Sequence, residues 1–272
     1  MAQIFSAAGY ETAGFHSNPF LADGTGFERG FDLFEDNQTT SWKFETMLRS
    51  RVQKYTEGTA VYRGLRKLYL RLRSATSTNI GLPYKPANEL VEQVIGWSQS
   101  TSEPFFCWCH FMDPHAPYQP HQGTASHDIT AKKALNLYER MNLTRTSSEF
   151  TEEELQQLTD LYKGEIEYTD RYIGKLIENI RSVSSDEDLL VTLVSDHGEE
   201  FGEFGKMGHG HRFYDQNVHI PCLFSRKHVL NGIDSVDTVC STVDSLPTIA
   251  NIASVESGGT DGQIIGKSSQ SN

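Results

Sequence analysis

The chain has 272 residues, 37% of them apolar and 22% charged, with a formal net charge of −12. This describes a globular protein with room for a substantial core, as one large domain or two small ones, and excludes a disordered chain. The negative charge argues against nucleic acid or an anionic membrane as a partner, and no stretch approaches the ~18 apolar residues of a membrane span. The four cysteines, Cys107, Cys109, Cys222 and Cys240, are too few and scattered for a disulfide scaffold. The opening "MAQIFSAAGYETAGF" lacks the basic start and long apolar core of a signal peptide, so the default expectation is a cytoplasmic chain.

In chain order, "AQIFSAAGY" reads as a helix with Ile4, Phe5 and Ala8 on one face and Gly9 as its stop. "TAGFHSN" follows as a short strand ending at Asn18-Pro19. The chain thus opens on a helix without the strand that usually precedes it in an α/β fold, which reads as a late start. "FLADGTGFERGFDLFED" is expected to be a loop packed by its own phenylalanines. The basic stretch from Thr39 to about Ser74, with "YRGLRKLYLRLRS", has helical spacing. "TSTNIGLPYKP" reads as a loop, and "PANELVEQVIGWSQS" as a helix with Leu90, Val91, Val94, Ile95 and Trp97 as its apolar face.

"PFFCWCHFM" is a continuous apolar run, the mark of a strand buried on both faces, with Cys107 and Cys109 on one side and Trp108 on the other. The three prolines of "DPHAPYQP" then force a loop. Thr151 and Glu154 form a capping box for a helical stretch with Leu158, Tyr162, Ile166, Thr169, Ile173, Leu176 and Ile180 in period, as one bent helix or two. "DLLVTLVSD" and "HIPCLFS" read as further buried strands. "STVDSLPTIANIAS" is a short helix with Leu246, Ile249, Ile252 and Ala253 inward, and the remainder is a polar, glycine-rich tail loose at its end. Apolar strands alternating with helices predict an α/β fold, a mostly parallel central sheet flanked by helices, with sites at the C-terminal ends of the strands.

Two of those strands end in "DPH" and "SDHG". Asp196 and His197, at the mouth of their strand, could reach one divalent cation together. The loop "GEEFGEFGKMGHGH" costs entropy to order, and its glycines permit close approach of backbone to a ligand. It returns His209 and His211 toward the sheet edge, with His211 reading as a structural neighbour more than a reacting group. His115, in a loop stiffened by Pro114 and Pro117, could donate to an anionic oxygen or protonate a leaving group. Asp113 reads as shaping that loop, Tyr118 as packing and His110 as a core histidine. A cation polarising an ester oxygen with histidines around the anion suggests hydrolysis of a phosphate or sulfate ester, and these residues do not choose between the two.

"HFMDPHAPY", "YKGEIEYTDRYIGKLIENI", "LLVTLVSDHGEEFGEFGKMGHGHRFYDQNVHIPCLF" and "STVDSLPTIANIA" resemble successive blocks of the sulfatase family, of the alkaline-phosphatase-like superfamily. "AGYETAGFHSNPFL" with "GFERGFD" resembles its early helix-strand block. The resemblance implies an alkaline-phosphatase-like fold over residues 1–255, incomplete and missing its first strand, followed by the tail at 256–272. It implies a metal-dependent sulfuric ester hydrolase acting on a small-molecule or glycan sulfate ester. It implies Asp196 as a ligand of one divalent cation, calcium expected and magnesium the alternative, with His197 ligating it or contacting the reacting oxygens. His115 maps to the ester contact, His209 to the sulfate-binding or leaving-group position after the glycine loop, and Lys206 and His211 to substrate binding.

The sequence departs from the family in respects that bear on activity: the first strand with the paired acidic metal ligands at its end, half of the metal site, is expected to be missing, and so is the nucleophile. Sulfatases use a formylglycine made from the Cys or Ser of "C/S-x-P-x-R". None of the four cysteines begins that motif, and Ser17, Ser102 and Ser245, each with a proline two residues on, lack its arginine. The formylglycine is therefore absent from this chain, and little or no esterase activity is expected of it. Two alternatives stand beside this reading. One is a phosphoesterase or phosphotransferase of the same superfamily, and the other a non-catalytic remnant or interaction protein, whose exposed strand edge would invite association.

Overall fold

The computed structural model describes residues 1–21, 24–37, 84–102, 104–184, 188–210, 212–226 and 235–266. The basic stretch from Thr39 to Ser74 and His211 lie outside these described residues.

A short helix, α1 (Ala2–Ala7), leads into β1 (Glu11–His16), whose side chains are buried on both faces. β1 pairs in parallel with β2 (Leu33–Asp36) on one side and β3 (Phe105–Cys109) on the other, so the sheet order is β2-β1-β3. The parallel sheet and its flanking helices are the α/β architecture anticipated from the apolar strands. β2 corrects the loop expected at that position. Its four residues are too few to show a periodicity, and Phe34 is fixed by stacking on Trp108 and by tilted ring contacts with Phe31 and His16. Cys107 and Cys109 pack with the core on one face of β3 while Trp108 stacks on the other, as alternation requires.

Helix α2 (Ala87–Ser98) buries Leu90, Val91, Val94 and Ile95 against Ala13 and Phe15 of β1. After the proline-rich loop, α3 (Ala131–Thr144) is capped by the Thr130 hydroxyl, which accepts from the Lys133 N–H. Its sequence is polar enough that no element was assigned there. A single helix, α4 (Glu152–Val183), settles the choice between one helix and two, and its capping box is formed in full by Thr151 and Glu154. Its later residues Leu176 and Ile180 join the sheet core, and its earlier Leu158 and Leu161 join a second core with Leu137, Met141 and Tyr118. The buried stripe differs from the apolar reading in its middle. Leu161, Gly164 and Glu165 face inward, while Ile166 is exposed. Gly164 sits there because a Cβ would lie 2.3 Å from Ser126 Oγ, so only glycine lets the loop approach the helix.

β4 (Val191–Val194) and β5 (Cys222–Ser225) form a separate antiparallel pair, with a helical turn, α5 (Asp215–Val218), between them. They were expected to be buried strands, yet Leu193, Val194 and Leu223 are exposed. An apolar run shows that a strand suits burial, not that neighbours cover it, and among the described residues β4 has no partner on its other edge. The last helix, α6 (Ser245–Ile252), buries Ser245, Pro247, Thr248 and Ala250 in place of the expected Leu246, Ile249 and Ile252. Hydrogen bonds set that face: the Gln263 and Ile265 N–H groups donate to Asp244 and Thr248 side chains.

Candidate active site

The loop after β3 is pinned at several points. The Asp113 carboxylate, 1% exposed, accepts the Ala87 N–H at 2.7 Å and so ties the loop to the start of α2. The Tyr84 hydroxyl donates to the His115 carbonyl at 3.1 Å. Further on, Glu165 of α4 accepts from the Gln119 N–H at 2.5 Å and bonds His121 Nε2 at 2.8 Å. Asp113 thus shapes the loop, and burial pushes its carboxyl up from 3.8 to about 7.

The turn after β4 is equally constrained. Asp196 Oδ1 accepts the His197 N–H at 3.0 Å, and the Ser195 hydroxyl donates to the His197 carbonyl at 2.8 Å. Gly198 donates its N–H to Asn217 O at 2.9 Å, and a Cβ on it would meet Gln216 O at 2.0 Å, so this close approach to α5 excludes any side chain. The glycine-rich loop then closes on itself through a Phe201–Met207 bridge and the Gly208 N–H donating to Glu200 O at 2.8 Å. It is bolted to the end of α3 by the Met207 N–H donating to Arg145 O at 3.3 Å.

These constraints bring three predicted residues together. The His209 ring lies 4.2 Å from His197 and 5.2 Å from His115, centre to centre. Each has Nδ1 anchored. His115 Nδ1 lies 2.6 Å from Ala116 O, His197 Nδ1 lies 2.8 Å from Gly198 O, and His209 Nδ1 lies 3.2 Å from Glu199 Oε1. A carbonyl only accepts, so Nδ1 carries the proton in His115 and His197. Their Nε2 atoms are left to meet a ligand, as in a metal or anion site. Asp196 is largely exposed, with Oδ2 3.9 Å from His197 Nε2.

The histidines differ in basicity. Burial pushes His115 below its ordinary value, partly opposed by its bond to Ala116. The hydrogen bond to Glu199 raises His209, against a smaller burial effect. His110, read as a core histidine, is half-buried at the end of β3, and burial lowers its imidazole despite the nearby Asp196. Lys206 is exposed on the outer limb of the glycine loop, paired through its backbone with Thr146.

The sequence reading missed Glu199 and Glu200. Both carboxylates, set among the loop's glycines, are buried. Glu199 bonds His209 and accepts the Tyr118 hydroxyl at 2.8 Å, while Glu200 accepts from Asn217 Nδ2 at 2.7 Å. Burial holds the Tyr118 phenol well above its ordinary value, so it remains a donor. Their one signal in the sequence is their position directly after the Asp-His-Gly turn.

As a cation site, Asp196 and His197 offer a carboxylate and an imidazole from one turn, a donor pair that suits a divalent ion. Among the described residues no cluster of three or more such donors is present. The pair therefore fits part of a coordination shell, the rest of which would come from water, substrate or groups beyond the described residues.

Anchored histidines from the loop after β3 of the parallel sheet and from the glycine-rich loop thus meet an Asp-His pair from the turn after β4 of the antiparallel pair, an arrangement able to set a cation beside an anion. The family model described as Sulfatase matches residues 1–255, and the chain belongs to the sulfatase family. It is 31% identical over 120 residues to arylsulfatase K of Danio rerio, a match covering 43% of this chain and 22% of that protein. It is 28% identical over 163 residues to the low-salt glycan biosynthesis sulfotransferase Agl7 of Haloferax volcanii, covering 58% of this chain and 36% of that one. Its fold is similar to the phosphonate monoester hydrolase of Agrobacterium radiobacter, with a TM-score of 0.62 at 19% identity over 97% of this chain and 60% of the other. The chain thus matches only about a fifth to a third of these curated relatives' length.

Proposed function

We propose that this chain forms the cation- and anion-binding side of a sulfuric ester hydrolase site. The observation that carries this reading is the contact of three histidine rings, each with Nδ1 anchored, beside Asp196. Asp196 and His197 would hold one divalent cation, calcium before magnesium, and that ion would draw charge from the ester oxygens. His209, kept basic by Glu199, is the group suited to arrive protonated and give its Nε2 proton to the departing alcohol. His115 is neutral at rest and gains a proton favourably only when an anion arrives beside it. Lys206, on the loop's outer limb, and His211 complete the substrate-binding residues of this reading.

No residue of the chain carries the formylglycine motif, so turnover by these residues alone is expected to be very slow or nil. Two measurements test the reading. Calcium titration by calorimetry should show binding that Asp196→Ala removes; no binding of calcium or magnesium would sink the cation role. Incubation with 4-nitrophenyl sulfate and calcium should release little nitrophenol. Metal-dependent release abolished by Asp196→Ala would show the chain to be an active enzyme, against the expectation. The likeness to Agl7, named as a sulfotransferase, makes it useful to repeat that incubation with an alcohol acceptor and look for a new sulfate ester.

A further inference from the structure

Beside the histidines, and partly lined by them, lies a cavity of about 110 Å³. Its lining includes the polar His115, His209 and Glu199 together with Tyr138, Met141 and Met207. Asn142 and Arg145, from the end of α3, also line it. Its volume is of the order that takes a single six-membered ring. A lining that mixes apolar side chains with a few anchored polar groups is the usual make-up of a small-molecule site.

The charges that face this cavity are unbalanced. Glu199 is the one carboxylate in the lining, and both its oxygens are engaged, by His209 and by the Tyr118 hydroxyl. Arg145 is exposed and forms no ion pair among the described residues. It also stands in a left-handed backbone conformation, φ 49°, at the C-cap of α3, where glycine or asparagine is customary. The Met207 N–H bonds the Arg145 carbonyl, so the guanidinium is carried by the same joint that carries the glycine loop.

We propose that this cavity seats the alcohol half of the ester, and that it selects a ring-sized alcohol bearing a second anionic group, a carboxylate or another sulfate, recognised by Arg145. The proposal rests on the ester-site reading above, because it takes His115 and His209 as the groups that face the sulfate. A planar guanidinium is suited to bidentate capture of either anion, and the Asn142 amide adds a neutral donor at the same edge. The chain's net charge of −12 disfavours a dianion in general, so any preference for one must come from a local site.

The test compares two nearly isosteric probes, 4-nitrophenyl sulfate and 4-(sulfooxy)benzoate, binding to the full chain in calcium-containing buffer by titration calorimetry. The carboxylate probe should bind about tenfold more tightly, as one charge-assisted contact warrants. Arg145→Gly should remove that preference and leave binding of the nitro probe intact. Glycine suits the left-handed C-cap, so this variant is expected to fold at least as well. Arg145→Lys should retain part of the preference, and Lys132→Gln, at an exposed position on α3, should retain all of it. Equal affinity for the two probes, or a preference that survives Arg145→Gly, overturns the subsite and leaves the ester site standing. Failure of both probes to bind overturns the ester-site reading and the subsite with it.

Discussion

Replacing Asp113 by Asn should make the protein more stable at alkaline than at acid pH relative to the unaltered chain. The Asp113 carboxyl is 1% exposed and accepts the Ala87 N–H, and among the described residues Oδ2 is buried without a hydrogen-bond partner. Burial raises its value from 3.8 to about 7. The sign follows directly. The unfolded chain gives up this proton near its ordinary value while the folded chain keeps it until about 7, so the group's contribution to stability falls as pH rises through that window. Between pH 5 and pH 8 the loss comes to roughly 3 kcal/mol. Asn keeps an oxygen for the Ala87 N–H and carries no charge, so it escapes the loss. Urea unfolding of both proteins at the two pH values measures it: the variant should gain on the parent by roughly 3 kcal/mol from pH 5 to pH 8. Parallel stability profiles, or a parent that gains on the variant as pH rises, would refute the assignment of a buried, burial-shifted carboxyl.

Further tests bear on the scaffold and the histidines. Thr151→Ala removes half of the capping box on α4 and should lower stability by about 1 kcal/mol, read from the urea midpoint; an unchanged midpoint would mean the cap is idle. Gly198→Ala places a methyl against the Gln216 carbonyl and should cost at least about 2 kcal/mol. A variant as stable as the parent would show that this approach is not tight. Glu199→Gln should lower the His209 titration midpoint followed by NMR, because the Glu199 bond is the main cause of its elevation. The stabilisation from that pair is present below the ordinary imidazole value and fades as pH rises through the elevated one, so the variant's stability should depend less on pH there. A His209 midpoint that does not move would rule out Glu199 as its partner.

The strand ends were legible in the sequence because two signals coincide there: an apolar run that stops, and a short polar motif with proline or glycine that forces a turn. β1, α2, α4 and the approach of His115 and His209 follow from that pattern. β2 and α3 were not legible, since one is four residues long and the other carries too many polar residues for its buried face, Ala134, Leu137 and Met141, to stand out. The inward face of α6 escaped the hydrophobic period because hydrogen bonds to residues 263 and 265, not apolar burial, decide it. Glu199 and Glu200 escaped for a related reason. Acidic residues between glycines read as solvated, and only the fold supplies the tyrosine, histidine and asparagine that make their burial tolerable.

The anchoring of His115 and His197 through Nδ1 to backbone carbonyls also gives the site a direction. Their rings cannot turn over without abandoning those bonds, and a carbonyl takes up no proton. Any proton that either ring gains or loses therefore passes through Nε2. Protonation of these two rings is thus tied to whatever stands before them, so an arriving anion or cation rewrites the charge of the site.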